Sequence, residues 1–556
     1  MAEGTMHSLD WLFAIGVFFF LLSAWAIGAN DVANSYATSV SSRSLTLVQA
    51  GCLAILTEFI GAIALGERVT ETIRKGVFTL DPFKDSPGTL ILAMVVAEAG
   101  SAIWLTACTR AGFPVSATQS LVGAMVGVGI ALQLHVKWGW ESNSVSQIAA
   151  SWGIAPLIAA GFGAIIMLSI RLLIHSRKDP LKWALRMIPF YYALTAGILA
   201  LFVVMDGGHG IPTVEKMGAA GVLFLTAIFF VPYFNAKLVK EDTRLRFWHI
   251  PMGPLLLKDN YNLYWPGKAD APVVTDYYAT EYSGDREDSE TESVRKERKD
   301  TGITREPAGE DTDQSGIAVT AQVPVDKARQ KNLEAVDQLP WAHPKRIWAT
   351  IKLVVSHGIT RDVIGHQSKG LEHIHARAPV FDNKVEHLWT TAQVCSAMIM
   401  SIAHGANDIS NAIGPFTTEY VVWKSGVVSK KSDTPEWIKA VGGITLGVGF
   451  WTFGYHMMRN LGNRITKHSP TRGYSMELAA AITVLLASKF GLPVSTTQCI
   501  TRAVVDVALV NCDLKSINWK QLGKIFIGWC LTVPCAGLIA GILMGIAINV
   551  PQWSHK

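Results

Sequence analysis

Charge is scarce in this chain: only 17% of its 556 residues are Asp, Glu, Lys or Arg, while half are hydrophobic. Mean hydropathy is +0.28, and several apolar runs reach about 18 residues or more, the length that marks membrane helices. Cysteine is also sparse. The seven residues Cys52, Cys108, Cys395, Cys499, Cys512, Cys530 and Cys535 show no metal-ligand spacing and fall mostly in apolar segments, which argues against a zinc cluster or a disulfide framework. No Lys or Arg precedes Trp11 and no small-residue cleavage site follows, so the first run reads as a span rather than a signal peptide. The net charge of +5 is spread over loops, with no basic patch for nucleic acid. No second histidine or nucleophile motif joins His404 and Asp408, which argues against an intramembrane hydrolase and leaves His404 as a helix-packing histidine.

What the chain has in abundance is repetition. Gly28-Ala29-Asn30-Asp31-Val32-Ala33-Asn34-Ser35 returns as Gly405-Ala406-Asn407-Asp408-Ile409-Ser410-Asn411-Ala412, each copy closing a long apolar run. Inserting the acid alone into hydrocarbon costs roughly 2.5–3.5 kcal/mol, so such a residue faces a partner or a wet cavity. A second stretch, Gly112-Phe113-Pro114-Val115-Ser116-Ala117-Thr118-Gln119, returns as Gly491-Leu492-Pro493-Val494-Ser495-Thr496-Thr497-Gln498. Proline suits the first helical position, which predicts helices opening at Pro114 and Pro493. The hydroxyls of Ser116, Thr118, Ser495, Thr496 and Thr497 then lie near free N–H groups and the positive end of a helix dipole, a ready anion site. Ordinary capping by Ser or Thr is the plainer use of the same residues.

The expected fold is an all-α polytopic membrane protein with about twelve transmembrane segments: roughly 11–41, 46–66, 90–110, 114–134, 148–173, 187–205, 217–235, 387–414, 437–458, 474–490, 493–511 and 522–548. The segments at Pro114 and Pro493 are proline-initiated re-entrant or broken helices. Three basic loops, around Arg177–Arg186, Lys237–Arg246 and Arg459–Arg472, fall on one side and should be cytoplasmic. Both termini are then outside, against the vote of the basic loop at Glu67 to Gly88. The two copies of each motif cross in opposite senses, as in the inverted repeats of secondary transporters, whose sites lie at the repeat interface. The offset is 377 residues at Gly28 and Gly405 and 379 at Pro114 and Pro493, and it sets Glu98 opposite Glu477. The domains expected are a membrane half at 1–235, a cytoplasmic loop at 236–386 and a second membrane half at 387–556. The loop's charged middle, about 285–330, is too polar to fold alone.

The doubled Asn-Asp stretch, each copy followed by G-x-P-V-S-x-T-Q, resembles the inorganic phosphate transporter (PiT) family. Gln119, Gln498 and the segment VVSHGITRDVIGHQ (354–367) are similar to its fungal sodium-dependent permeases. The resemblance implies symport of phosphate with sodium, or protons in some members, across the plasma membrane, without a cofactor or an enzymatic step. It implies phosphate ligands at Asn30, Asn407, Ser116, Thr118, Ser495, Thr496 and Thr497, sodium ligands at Asp31, Asn34, Asp408 and Asn411, and transport-linked acids at Glu58 and Glu477. Partners would be phosphate, sodium or protons and the lipid bilayer, with a homodimer open. The residues suit this chemistry. Neither motif contains Lys or Arg, so bound cations must supply positive charge, and a cation beside the anion couples the two by mutual attraction. Rival readings are a permease for another oxyanion such as sulfate and a non-transporting phosphate sensor. Arg502 and Asp506 stand where the first repeat has Gly123 and Gly127; four apart on a helix, they are expected to pair.

Overall fold

A computed structural model describes residues 4–140, 144–206 and most of 343–550, with short stretches such as 276–278 between. The expected span at 217–235 and the charged middle of the central stretch lie outside the described residues. Among the described residues the architecture is helical, apart from a two-residue ladder pairing Thr243–Arg244 with Trp265–Pro266 and a bridge from Phe78 to Val136.

The first apolar run is not one helix. Helix α1 (Asp10–Asn30) stops at the motif and α2 (Ala33–Ser41) resumes two residues later. Between them Asn34 N donates to Asp31 O and Ser35 N to Val32 O, tight i→i−3 bonds that mark a local break. Six helices follow in the first half: α3 (Leu47–Leu65), α4 (Glu67–Gly76), α5 (Pro87–Ala111), α6 (Ala117–Ala131), α7 (Val145–Ile170) and α8 (Pro180–Asp206). Two short helices, α9 (Pro344–Val355) and α10 (Lys369–Ala376), precede the second half. There α11 (Asn383–Asp408) and α12 (Ser410–Ser425) again break at the motif, followed by α13 (Glu436–Leu461), α14 (Pro470–Lys489), α15 (Thr496–Leu509) and α16 (Trp519–Asn549).

Neither hydroxyl stretch opens its helix at proline. Residues 113–116 are non-helical and α6 begins at Ala117, capped by Ser116, whose Oγ accepts Gln119 N at 3.3 Å. Ser495 caps α15 in the same way through Gln498 N, also at 3.3 Å. A capping hydroxyl satisfies an orphan amide, which proline at the expected start leaves unserved. Gly112 and Gly491 precede these breaks with φ of 76° and 65°, the left-handed region that glycine enters without a steric penalty. At 15 and 14 residues, α6 and α15 are shorter than the roughly 20 residues that cross a bilayer.

Among the described residues, six stretches are long and apolar enough to span a membrane: His7–Ser41, Leu47–Ala64, Pro87–Ala111, Val145–His175, Pro180–Phe202 and Trp519–Asn549. Helices α11, α13 and α14 are 20–26 residues long but more polar, and α14 is buried along almost its whole length. A helix wrapped by other helices escapes the lipid's demand for an apolar surface on every side.

The halves interleave. Helix α1 packs on α13, α3 on α11 and α13, α7 on α14 and α15, and α6 on α16. The α6–α16 contact rests on bare backbone: a Cβ at Gly127 would lie 1.9 Å from Gly537 O, and one at Gly123 2.5 Å from Val533 O. Gly127→Ala should therefore cost on the order of 1–3 kcal/mol through overpacking, read as a lower melting temperature in detergent. Gly153→Ala, with nothing within 4 Å of its Cβ, is the control, and an equal loss in both would refute close packing as the cause.

At the equivalent positions of α15 the expected ion pair is present. Arg502 Nε lies 2.6 Å from Asp506 Oδ2, with the side chains 45% and 16% exposed. No disulfide joins the described cysteines.

Candidate functional site

The four helix ends made by the two Asn-Asp breaks and the two capped starts meet in the interior. Asn30, Asp31, Asn34, Asn407, Asp408, Asn411, Ser116, Thr118, Ser495, Thr496 and Thr497 are all buried there. The contacts cross between halves in matching pairs. Asn34 Nδ2 donates to Thr497 Oγ1 at 2.7 Å, and Asn411 Nδ2 to Thr118 Oγ1 at 3.2 Å. Thr497 Oγ1 lies 3.1 Å from Val115 O, and Thr118 Oγ1 3.2 Å from Val494 O.

The carboxylates are held by hydroxyls and amides. Asp31 accepts from Thr497 Oγ1 at 2.8 Å and from Ala117 N at 3.2 Å. Asp408 accepts from Thr496 Oγ1 at 2.6 Å and from Asn407 Nδ2 at 2.7 Å. Asn30 instead clamps the non-helical segment: its Nδ2 donates to Thr109 Oγ1 and Phe113 O, and its Oδ1 accepts Val115 N. Its amide is thus committed to holding the segment before α6. Ser116 and Ser495 serve as caps, so their hydroxyls too have structural work.

The acceptor oxygens Oδ1 of Asn34, Asn407 and Asn411 are buried without a donor. An amide oxygen so placed costs about 1–3 kcal/mol unless something positive or protic meets it. Three such oxygens beside two carboxylates form a set of hard donors of the kind that holds small cations.

His404 enters this site, contrary to its reading as a packing residue. Its Nδ1 lies 2.8 Å from Glu58 Oε2 and its Nε2 3.0 Å from Asp408 Oδ2. Ser401 Oγ donates to Glu58 at 2.6 Å. Asp31, His404 and Asp408 bring one ligand atom each within 4.8 Å of one another. The signal was there to read: His404 precedes Asp408 by four residues, one helical turn, on the same face.

Glu477 occupies a separate pocket. Thr38 Oγ1, Ser39 Oγ and Gln393 Nε2 donate to its Oε1 at 2.5, 2.6 and 3.2 Å, and Ser396 Oγ to its Oε2 at 2.6 Å. None of these four donors was singled out from the sequence. Four donors from α2 and α11 offset part of the cost of burying this carboxyl group.

Discontinuous helices whose broken ends meet amid buried carboxylates and hydroxyls, in a bundle with six span-length apolar stretches, define a membrane transporter rather than an enzyme. Comparison with known proteins specifies which kind. A sequence profile described as the Phosphate transporter family matches residues 27–540, and the chain belongs to that family. It is 38% identical to the phosphate-repressible phosphate permease pho-4 of Neurospora crassa, over 99% of this chain and 100% of that one. It is 28% identical to sodium-dependent phosphate transporter 1-A of Danio rerio, over 98% and 96% of the two chains. A solved structure titled the sodium-dependent phosphate transporter matches the fold with a TM-score of 0.66 at 23% identity, covering 97% of this chain and 100% of that one. Its family and these relatives are transporters, not enzymes.

Proposed function

We propose that the chain is a sodium-coupled inorganic phosphate symporter of the plasma membrane, working by alternating access between two inverted repeats of about twelve spans in all. The domain boundaries belong to the same reading: membrane halves at 1–235 and 387–556 flank a cytoplasmic loop at 236–386, and both termini lie outside. The observation that carries it is the reciprocal closure of the site, in which Asn34 reaches Thr497 and Asn411 reaches Thr118. A site whose ligands come from both halves can open to either side as the halves rock.

The hydrogen bonds suggest how coupling arises. The Thr496 and Thr497 hydroxyls donate to Asp408 and Asp31, and phosphate oxygens would compete for those donors and for the amides at the starts of α6 and α15. Each donor surrendered to phosphate leaves a carboxylate short of compensation. Sodium meeting Asp31, Asp408 and the orphaned oxygens of Asn34 and Asn411 restores the balance. Anion and cation then favour each other's binding by the same factor. A sulfate dianion brings no proton to offer a carboxylate, a mismatch that favours hydrogen phosphate.

Uptake of labelled phosphate by proteoliposomes holding the full chain is expected to require an inward sodium gradient and to resist excess sulfate. Uptake driven by a proton gradient without sodium would overturn sodium coupling. Sulfate uptake would move the substrate to another oxyanion, and phosphate binding without uptake would make the chain a sensor.

A further inference from the structure

Glu98, on α5, corresponds to Glu477 by the 379-residue offset, yet its surroundings are the reverse. Glu477 has four donors; both Glu98 oxygens have none, in a side chain with 0% exposure. A second acid takes the donors' place. Helix α12 packs on α5; its Glu419 is also 0% exposed, both its oxygens also lack a hydrogen-bond partner, and it acts electrostatically on Glu98.

The 377-residue offset explains how the pocket was rebuilt. It sets Gly16 opposite Gln393, Phe19 opposite Ser396, Phe416 opposite Ser39 and Glu419 opposite Ser42. Beside Glu477, Ser42 Oγ bonds Gln393 Oε1 at 2.7 Å. Beside Glu98, a glycine stands in place of the glutamine, and the Glu419 carboxyl fills the space: a Cβ on Gly16 would lie 1.9 Å from Glu419 Oε1. Phe13 and Phe20, one turn to either side of Gly16, stack on Phe416 at 5.9 and 4.4 Å. The wall of this pocket is thus glycine and aromatic ring.

No described cation neutralises the two acids. Helix α6 has no titratable side chain, and α1 has Asp10 and Asp31 at its two ends. Among the described side chains α4 offers Glu71, which is exposed, and beyond Glu419 α12 has the exposed Lys424, which lies over the Tyr420 ring. On α13, Lys439 reaches Glu436 at 2.9 Å, and Arg459 lies at the far end of that helix. Helix α16 carries Lys520 and Lys524 in its first turns, then Cys530 and Cys535.

Two like charges in one dry pocket cannot both be sustained, and the shared solution is a proton. A hard metal ion would gather a shell of several oxygens, whereas a proton needs only one oxygen from each carboxyl. We propose that Glu98 and Glu419 form a proton-binding site, separate from the Asp31–His404–Asp408 cluster, in which one proton is held between the two carboxyls. The site's existence does not depend on phosphate symport. Its effect on uptake rests on that reading: loss of the proton leaves two buried charges between α1, α5 and α12 and slows the cycle at alkaline pH.

Infrared difference spectroscopy of the purified full chain tests the site without transport. A carboxylic-acid C=O band is expected to persist at neutral pH, to disappear at high pH, and to be lost in both Glu98→Gln and Glu419→Gln. Sodium should not remove it. A band that sodium abolishes would make the pair a metal site, and one that survives both substitutions would place the acid elsewhere, at Glu477 for instance. Should Glu98→Gln fail to fold, Glu419→Gln, a neutral mimic of the protonated acid, decides alone. In proteoliposomes the ratio of Glu419→Gln to wild-type uptake, in which phosphate's own titration cancels, should rise about tenfold per pH unit above the pair's titration. A ratio flat with pH while the infrared band behaves as expected would overturn the effect on the cycle. Absence of uptake in the wild type would count against the symport reading and leave the infrared result standing.

Discussion

Asp31→Asn and Asp408→Asn are each expected to bring phosphate uptake to background while the protein still inserts and purifies. Both side chains are buried, and both accept a threonine hydroxyl at 2.6–2.8 Å. A carboxamide keeps the shape but turns an NH2 toward donors and removes the charge that a sodium ion requires. Hydrogen bonds to charged groups contribute about 1.5–3 kcal/mol each, so losing one charged acceptor amounts to roughly 10- to 150-fold in binding. On the proposed coupling, loss of the cation would multiply that. The decisive measurement is uptake against sodium concentration at fixed phosphate. Wild-type uptake and sodium dependence in either variant would show that aspartate to be structural.

Removing His404 should damage the fold as well as the site. Its ring lies between Glu58 and Asp408 with both nitrogens within 3.0 Å of a carboxylate oxygen, and no part of the side chain is exposed. Breaking a buried pair by deleting one partner typically costs about 3–5 kcal/mol, because the other charge is left uncompensated. His404→Ala should accordingly lower the melting temperature and the yield of folded protein severely. The double variant His404→Gln/Glu58→Gln, which removes the stranded charge, should recover part of the loss. A double variant worse than His404→Ala would show that the histidine acts by filling space.

Much of this was legible because both motifs occur twice. One Asn-Asp pair at a helix end is a plausible cap; two, each closing a long apolar run, point to a shared site, and Asp31 and Asp408 do lie together. The breaks were harder to see. Asp31 follows an unbroken apolar run, and no proline or glycine follows it closely enough to mark the stop. The helix starts were misplaced by three residues because Pro114 and Ser116 are both starting signals, and the serine's hydrogen bond to Gln119 N decided between them. The contact of His404 with Asp408 could be read from their four-residue spacing. Its contact with Glu58, like the proposed pairing of Glu98 with Glu419, escaped for a different reason: each depends on a neighbour hundreds of residues away, and no local pattern announces such a partner.

The interleaving of the halves also bears on how the chain is made. Gly127 on α6 meets Gly537 on α16, a residue that the ribosome supplies only after some 410 more have been joined. At 5–20 residues per second that is a wait of roughly 20–80 s. Throughout it, the first half waits with the glycine face of α6 uncovered. Biogenesis therefore passes through a long-lived, half-built intermediate that lipid or an insertase must shelter. A nascent chain arrested within the central stretch would hold it there, with a cysteine placed at Gly127 open to labelling until α16 arrives.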